Sequence, residues 1–192
     1  MRTKDFDEQE ILKKAVKLFW DKGYNGTSMQ DLIDGLGIGR SSIYHAFGDK
    51  HTLYVKSLEL YQQEGTQRLL DAINAGPTIQ DAIRKLIKMN ISDRVSCGIP
   101  ESCFKVNAGV EVAVDDEEIL KLLREDDLII ENSLYEAIKK QQDNGKLSPA
   151  KDPRALARFV CGTIAGIRVY ANTKKDEDFF DDIISTALLV FD

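Results

Sequence analysis

At 192 residues, 43% hydrophobic and 30% charged, the chain has enough apolar side chains for one or two globular domains and too many for an intrinsically disordered protein. No run approaches the ~18 uninterrupted apolar residues of a membrane-spanning helix, and residues 1–9 are polar and acidic, without the apolar stretch or cleavage site of a secretion signal; a soluble, cytoplasmic protein with no membrane partner is expected. The formal net charge of -6 speaks against nucleic acid until its distribution is counted: residues 1–50 hold eight basic and eight acidic side chains, so any phosphate-binding face must be small and locally arranged.

The four prolines, Pro77, Pro100, Pro149 and Pro153, all fall between segments of helical period, which predicts an all-α protein. A first helix is expected from about Asp7 to Lys22, with Ile11, Leu12, Ala15, Val16 and Phe19 on one face and Gly23 as its stop. A second begins at Thr27, whose hydroxyl can cap it while Gln30 reaches back from the third position, and ends near Leu36 before Gly37-Ile38-Gly39. A short third helix covers Arg40 to Ala46, and a long fourth starts at Lys50 behind the N-cap Asp49 and runs to about Ala75, where Gly76-Pro77 stops it. Thr78 caps a fifth. The stretch 96–102 is the least regular, and a further helix is expected to begin near Glu101. One long helix follows from Asp115 to Asn144, and two strongly apolar ones close the chain, about Pro153 to Asn172 and Asp176 to Phe191.

Three short helices, the second and third joined by a glycine-containing turn, have the layout of a helix-turn-helix, whose third helix enters the major groove of DNA. The run from Gly23 through Thr27, Met29 and Leu32 to Ile33, followed by Gly37-Ile38-Gly39-Arg40-Ser41-Ser42-Ile43-Tyr44-His45-Ala46-Phe47-Gly48-Asp49-Lys50, resembles the N-terminal signature of TetR-family regulators over roughly the first quarter of the chain. The resemblance implies an N-terminal DNA-binding domain at residues 1–50, a connecting helix at about 50–75, and a C-terminal helical domain at 76–192 for ligand binding and dimerisation. It also implies a transcriptional regulator, by default a repressor, released from a palindromic operator by a small apolar ligand or by thiol modification. Carried over residue by residue, Thr27 would bind a phosphate at the start of the second helix. Arg40, Ser41 and Ser42 would open the recognition helix, with Arg40 suited to a bidentate contact with guanine. Tyr44 would meet the DNA backbone, His45 a phosphate or a base, and Lys50 a phosphate. Ala46 departs from the family, where a larger side chain is common. Ile33, Leu36, Ile38, Ile43 and Phe47 have the character of a core that holds the three helices together.

In the last two helices, Leu156, Phe159, Val160, Thr163, Ile164 and Ile167 form one apolar stripe and Phe180, Ile183, Ile184, Ala187, Leu188 and Phe191 another. With Gly162 and Gly166 allowing close backbone approach, these stripes are expected to build a four-helix homodimer interface; an intramolecular core is the alternative. Cys97, Cys103 and Cys161 are odd in number and lack paired zinc-site spacing, so free thiols and no metal or cofactor are expected. The segment from Glu101 through Cys103, Phe104 and Asn107 to Glu111 resembles that of family members in which a cysteine here senses electrophiles, and a helix start would favour the thiolate. Burial as a small hydrophobe is the other reading. Phe104, Tyr135 and Cys161 are expected, with Cys103, to line a mostly apolar cavity for an effector of unidentified chemistry.

An enzyme is not expected. The two histidines, His45 and His51, have no nucleophile partner, and the glycines at 35, 37 and 39 are followed by no phosphate-loop lysine. A helical interaction protein without DNA binding is the remaining class.

Overall fold

The computed structural model describes residues 6–171 and 176–191 apart from 96–102, with only the backbone at 92–95. The described residues form α-helices and no strand: α1 (Glu8–Lys22), α2 (Met29–Leu36), α3 (Arg40–Phe47), α4 (Lys50–Ala75), α5 (Ile79–Val95), α6 (Phe104–Glu111), α7 (Glu117–Asp143), α8 (Pro153–Tyr170) and α9 (Glu177–Leu189). The expected helix start at Glu101, the irregular stretch around it, Cys97, and the helix end at Asn172 lie outside the described residues. No helix among those described is long and apolar enough to cross a membrane.

Stops and caps explain most of these boundaries. Gly23, Gly37, Gly48 and Gly145 all have positive φ, which an L side chain rarely adopts. Gly37, at φ 71°, is the left-handed cap of α2 and donates its N–H to the Ile33 carbonyl. The start of α2 corrects the sequence expectation by one residue. Ser28 is the N-cap, accepting from the Asp31 N–H at 3.1 Å while the Asp31 carboxylate accepts from the Ser28 N–H at 2.8 Å. Aspartate completes this reciprocal cap as well as glutamine would, and it also pairs with Lys22. The ion pair and the Ser28 hydrogen bonds hold the Asp31 carboxyl well below the usual carboxylate range.

The chain divides into two compact units, one of Met1–Glu64 with Cys103–Leu123 and the other of Gly65–Ser102 with Arg124–Asp192. In the first, Ile11, Ala15 and Phe19 of α1, Leu32 and Leu36 of α2, and Ile43 and Phe47 of α3 are buried together with Tyr54 and Leu58 of α4 and Phe104 and Ala108 of α6. Tyr54 is the hub. Its ring stands edge-on to Phe19 at 5.1 Å, Tyr24 at 4.9 Å and Phe104 at 5.4 Å, the arrangement aromatic quadrupoles favour. Phe104 also meets Tyr61 at 5.5 Å, and Tyr61 meets Trp20 at 4.9 Å.

In the second unit, α5, α8, α9 and the later part of α7 share one core. Much of the expected dimer face is buried within the single chain. Leu156, Val160, Ile164 and Ile167 of α8, with Phe180, Ile184, Ala187 and Leu188 of α9 and Phe191 after it, are buried in the chain's own core against Ile83, Leu86 and Ile87 of α5. Of the expected interface residues, Phe159 is exposed and Thr163 and Ile183 partly so. The outward face of α8 instead carries Phe159, Val169 and Tyr170, each exposed, and a Cβ built at Gly162 or Gly166 would meet nothing within 4 Å.

Candidate functional site

Helix α3 presents its residues in two sharply different environments. Ile43 and Phe47 are buried against the module core, while Arg40, Ser41, Tyr44 and His45 are exposed and Ser42 lies half-buried at their edge. At 100° per residue, positions 40, 41, 44 and 45 cover one contiguous side of the helix. The guanidinium of Arg40 lies 5.8 Å from the ring of Tyr44, so a planar fork of donors and a phenol share that side. Gly39, the N-cap, adds no side chain in front of the helix start.

Lys50, the first residue of α4, is half-buried with its ammonium 4.3 Å from the centre of the Tyr24 ring. Burial pulls its pKa below the ordinary lysine value, against the opposing pull of the Glu111 charge. Burial likewise pushes the Tyr24 phenol up. His51, next along α4, is held by a 2.6 Å contact between Nε2 and Asp116 Oδ2, and Asp116 in turn accepts from the Ile119 N–H at 3.0 Å at the start of α7.

Thr27 lies inside the α1–α2 turn. It is fully buried, its hydroxyl donates to the Gly23 carbonyl at 2.6 Å and its N–H to the Tyr24 carbonyl at 3.3 Å. With both donors used inside the turn, Thr27 braces the α1–α2 connection.

Two families of sequence patterns match this chain: "Bacterial regulatory proteins, tetR family" over residues 11–56, and "Tetracyclin repressor-like, C-terminal domain" over residues 80–187. The chain belongs to the TetR family. This TetR-family protein is accordingly a DNA-binding transcriptional regulator and not an enzyme. It is 27% identical over its whole length, and 99% of the relative's, to the uncharacterized HTH-type transcriptional regulator YezE of Bacillus subtilis (strain 168). It is 26% identical, over 97% of this chain and 90% of the other, to the HTH-type transcriptional repressor ComR of Escherichia coli (strain K12). Among solved structures, a cysteine mutant of the TetR family regulator CifR complexed with 26bp double-strand operator DNA superposes with a TM-score of 0.89 at 22% identity, over all of both chains. The reduced form of NemR from E. coli does so with a TM-score of 0.82 at 18% identity, over 93% of each; these two show the fold.

The residues expected to meet an effector fall into the two units of the TetR-family chain. Cys103 and Phe104 belong to the first, where Cys103 is the N-cap of α6, buried, with its sulfur 3.5 Å from the Tyr61 hydroxyl. Tyr135 and Cys161 pack against the core of the second, and one face of Tyr135 is covered by the Arg154 guanidinium at 4.1 Å. Two residues to which the sequence pattern assigned no site role stand out. Gln62 of α4 is buried with neither amide atom hydrogen-bonded; a glutamine one turn after Leu58 on the inward face of a helix was the available signal. Glu111 reaches back to the α1–α2 turn, and nothing in the linear pattern indicates that partner.

Proposed function

We propose that this regulator is a repressor that binds a near-palindromic operator as a homodimer and leaves it when a small, largely apolar effector binds. The observation that carries the reading is the exposed side of α3. Its apolar residues are spent on the core, so Arg40, Ser41, Tyr44 and His45 are free to face base edges and phosphates in a major groove. Lys50, at the start of the next helix, supplies a phosphate contact. Two α3 helices related by a two-fold axis would meet half-sites about 34–36 Å apart, and the exposed face of α8 around Phe159, Gly162 and Gly166 is the proposed contact between copies. Covering the polymerase site needs no further surface, which favours repression, and the likeness to the repressor ComR agrees.

Fluorescence titration of labelled DNA from beside its own gene tests this. Lys50→Ala is expected to weaken binding to every sequence and to flatten the dependence of log K on log salt by about one unit. Arg40→Ala is expected to cost roughly 1–3 kcal/mol on operator and to relax the sequence preference. If both variants bind like wild type at several salt concentrations, the DNA face is elsewhere.

For release, the non-covalent effector is preferred over thiol modification because Cys103 is buried, and reactive thiols need both thiolate character and access. The effector must favour the conformation that does not fit operator, since equal affinity for both shifts nothing. Cys103 and Phe104 at the start of α6 are the first residues to examine for contact with it. N-ethylmaleimide treatment is expected to affect operator binding by wild type and Cys103→Ser alike. Release from wild type alone would restore the cysteine as trigger.

A further inference from the structure

Glu111 is the last residue of α6, and its carboxylate is spent on the backbone of the turn between α1 and α2. Oε2 accepts from the Tyr24 N–H at 3.0 Å and Oε1 from the Asn25 N–H at 2.7 Å. Two successive N–H groups converging on one anion form a concave anion site, filled here by the chain's own side chain. Gly23 makes room for it. Its φ is +75°, and a Cβ there would stand 2.7 Å from Glu111 Oε2, so the turn is shaped around the carboxylate.

What the turn holds gives this contact its consequence. Tyr24, whose N–H is clamped, carries the Lys50 ammonium 4.3 Å over its ring and meets Tyr54 edge-on at 4.9 Å and His51 at 6.3 Å. The same turn ends at Ser28, the cap of α2. A side chain 87 residues away in sequence therefore fixes both the entry to the helix-turn-helix and the platform under Lys50.

We propose that Glu111 is a positioning residue for DNA binding: its carboxylate latches the end of α6 onto the α1–α2 turn and so keeps Tyr24 and Lys50 where Lys50 meets a phosphate. The inference rests on the reading of Lys50 as a phosphate contact, and it makes a prediction opposite in sign to simple electrostatics. Removing a negative charge whose field reaches a DNA-facing lysine should, through charge alone, tighten DNA binding. Removing a latch should weaken it.

Glu111→Gln separates the two. A carboxamide is nearly isosteric, but its nitrogen cannot accept, so one of the two clamps is lost. The expected result is operator binding about tenfold weaker at fixed salt, the loss of one hydrogen bond to a charged group, with the salt dependence flattened toward that of Lys50→Ala. In a Lys50→Ala background the same change should cost no more than about twofold, because coupled positions are not additive. Unchanged or tighter operator binding by Glu111→Gln overturns the proposal, as does a full tenfold loss in the Lys50→Ala background. A measurement on wild type alone guards against a variant that does not fold. The Tyr24 and Asn25 amides, though in a surface turn, should exchange with solvent slowly, and exchange at the rate of open-chain amides also overturns it. Failure of the underlying reading would look different: wild type and Lys50→Ala would then bind operator with the same salt dependence.

Discussion

Ile184→Glu is expected to unfold the second unit, whereas Phe159→Glu leaves the chain folded and monomeric. Ile184 is 1% exposed and packed in the α5–α8–α9 core, while Phe159 is 42% exposed on α8. Truncating a buried isoleucine costs about 2–5 kcal/mol, and a carboxylate in its place adds an unpaired buried charge worth several kcal/mol more. The total is a large share of the ~5–15 kcal/mol by which a domain is stable. At position 159 a glutamate remains solvated in the single chain, and two of them meet only if copies pair across that face. Circular-dichroism melts with light scattering distinguish the cases. A folded Ile184→Glu monomer would return the interface to α9, and a dimeric Phe159→Glu would move it off this face of α8.

The second large effect is expected in the first unit, where Phe104→Ala should lower stability by roughly 3–5 kcal/mol. The ring is fully buried and edge-on to both Tyr54 and Tyr61, each such pair contributing about 0.5–1.5 kcal/mol beyond area burial. Phe104→Leu keeps most of the volume and should cost clearly less. Because Phe104 and Glu111 are the two ends of the same eight-residue helix, the folded fraction of Phe104→Ala should also bind operator more weakly than wild type. Urea denaturation followed by titration of the same sample reads both quantities. A loss below about 1 kcal/mol would mean that the aromatic cluster does not anchor α6.

The local chemistry of this chain was legible in its sequence wherever one helix decides its own fate. Asp49 caps α4 by accepting from the Thr52 N–H at 2.7 Å, and α4 runs from Lys50 to Ala75 as the periodicity and Gly76-Pro77 indicated. The glycine stops and the exposed side of α3 follow from the same kind of evidence, since a turn needing positive φ and a period of 3.6 residues are properties of a single segment. Thr27 and Ser28 mark the margin of that power. Both have the residue types to cap α2, and only the folded turn shows Thr27 buried under Gly23 and Ser28 paired with Asp31.

Partnership between segments was decided by tertiary structure alone. The stripes of α8 and α9 announced that they would be buried, but periodicity does not say against what, and in the folded chain much of both stripes packs with α5 in one core. In the sequence Glu111 stood out only as the last residue of the segment from Glu101 that resembles cysteine-sensing family members. Its role depends on two amides 86 and 87 positions earlier, and on a glycine there whose missing Cβ leaves room for a carboxylate. A sequence fixes which faces are apolar and which groups can donate or accept; which of them meet is settled by packing, because each contact is a property of two segments and neither carries the other's address.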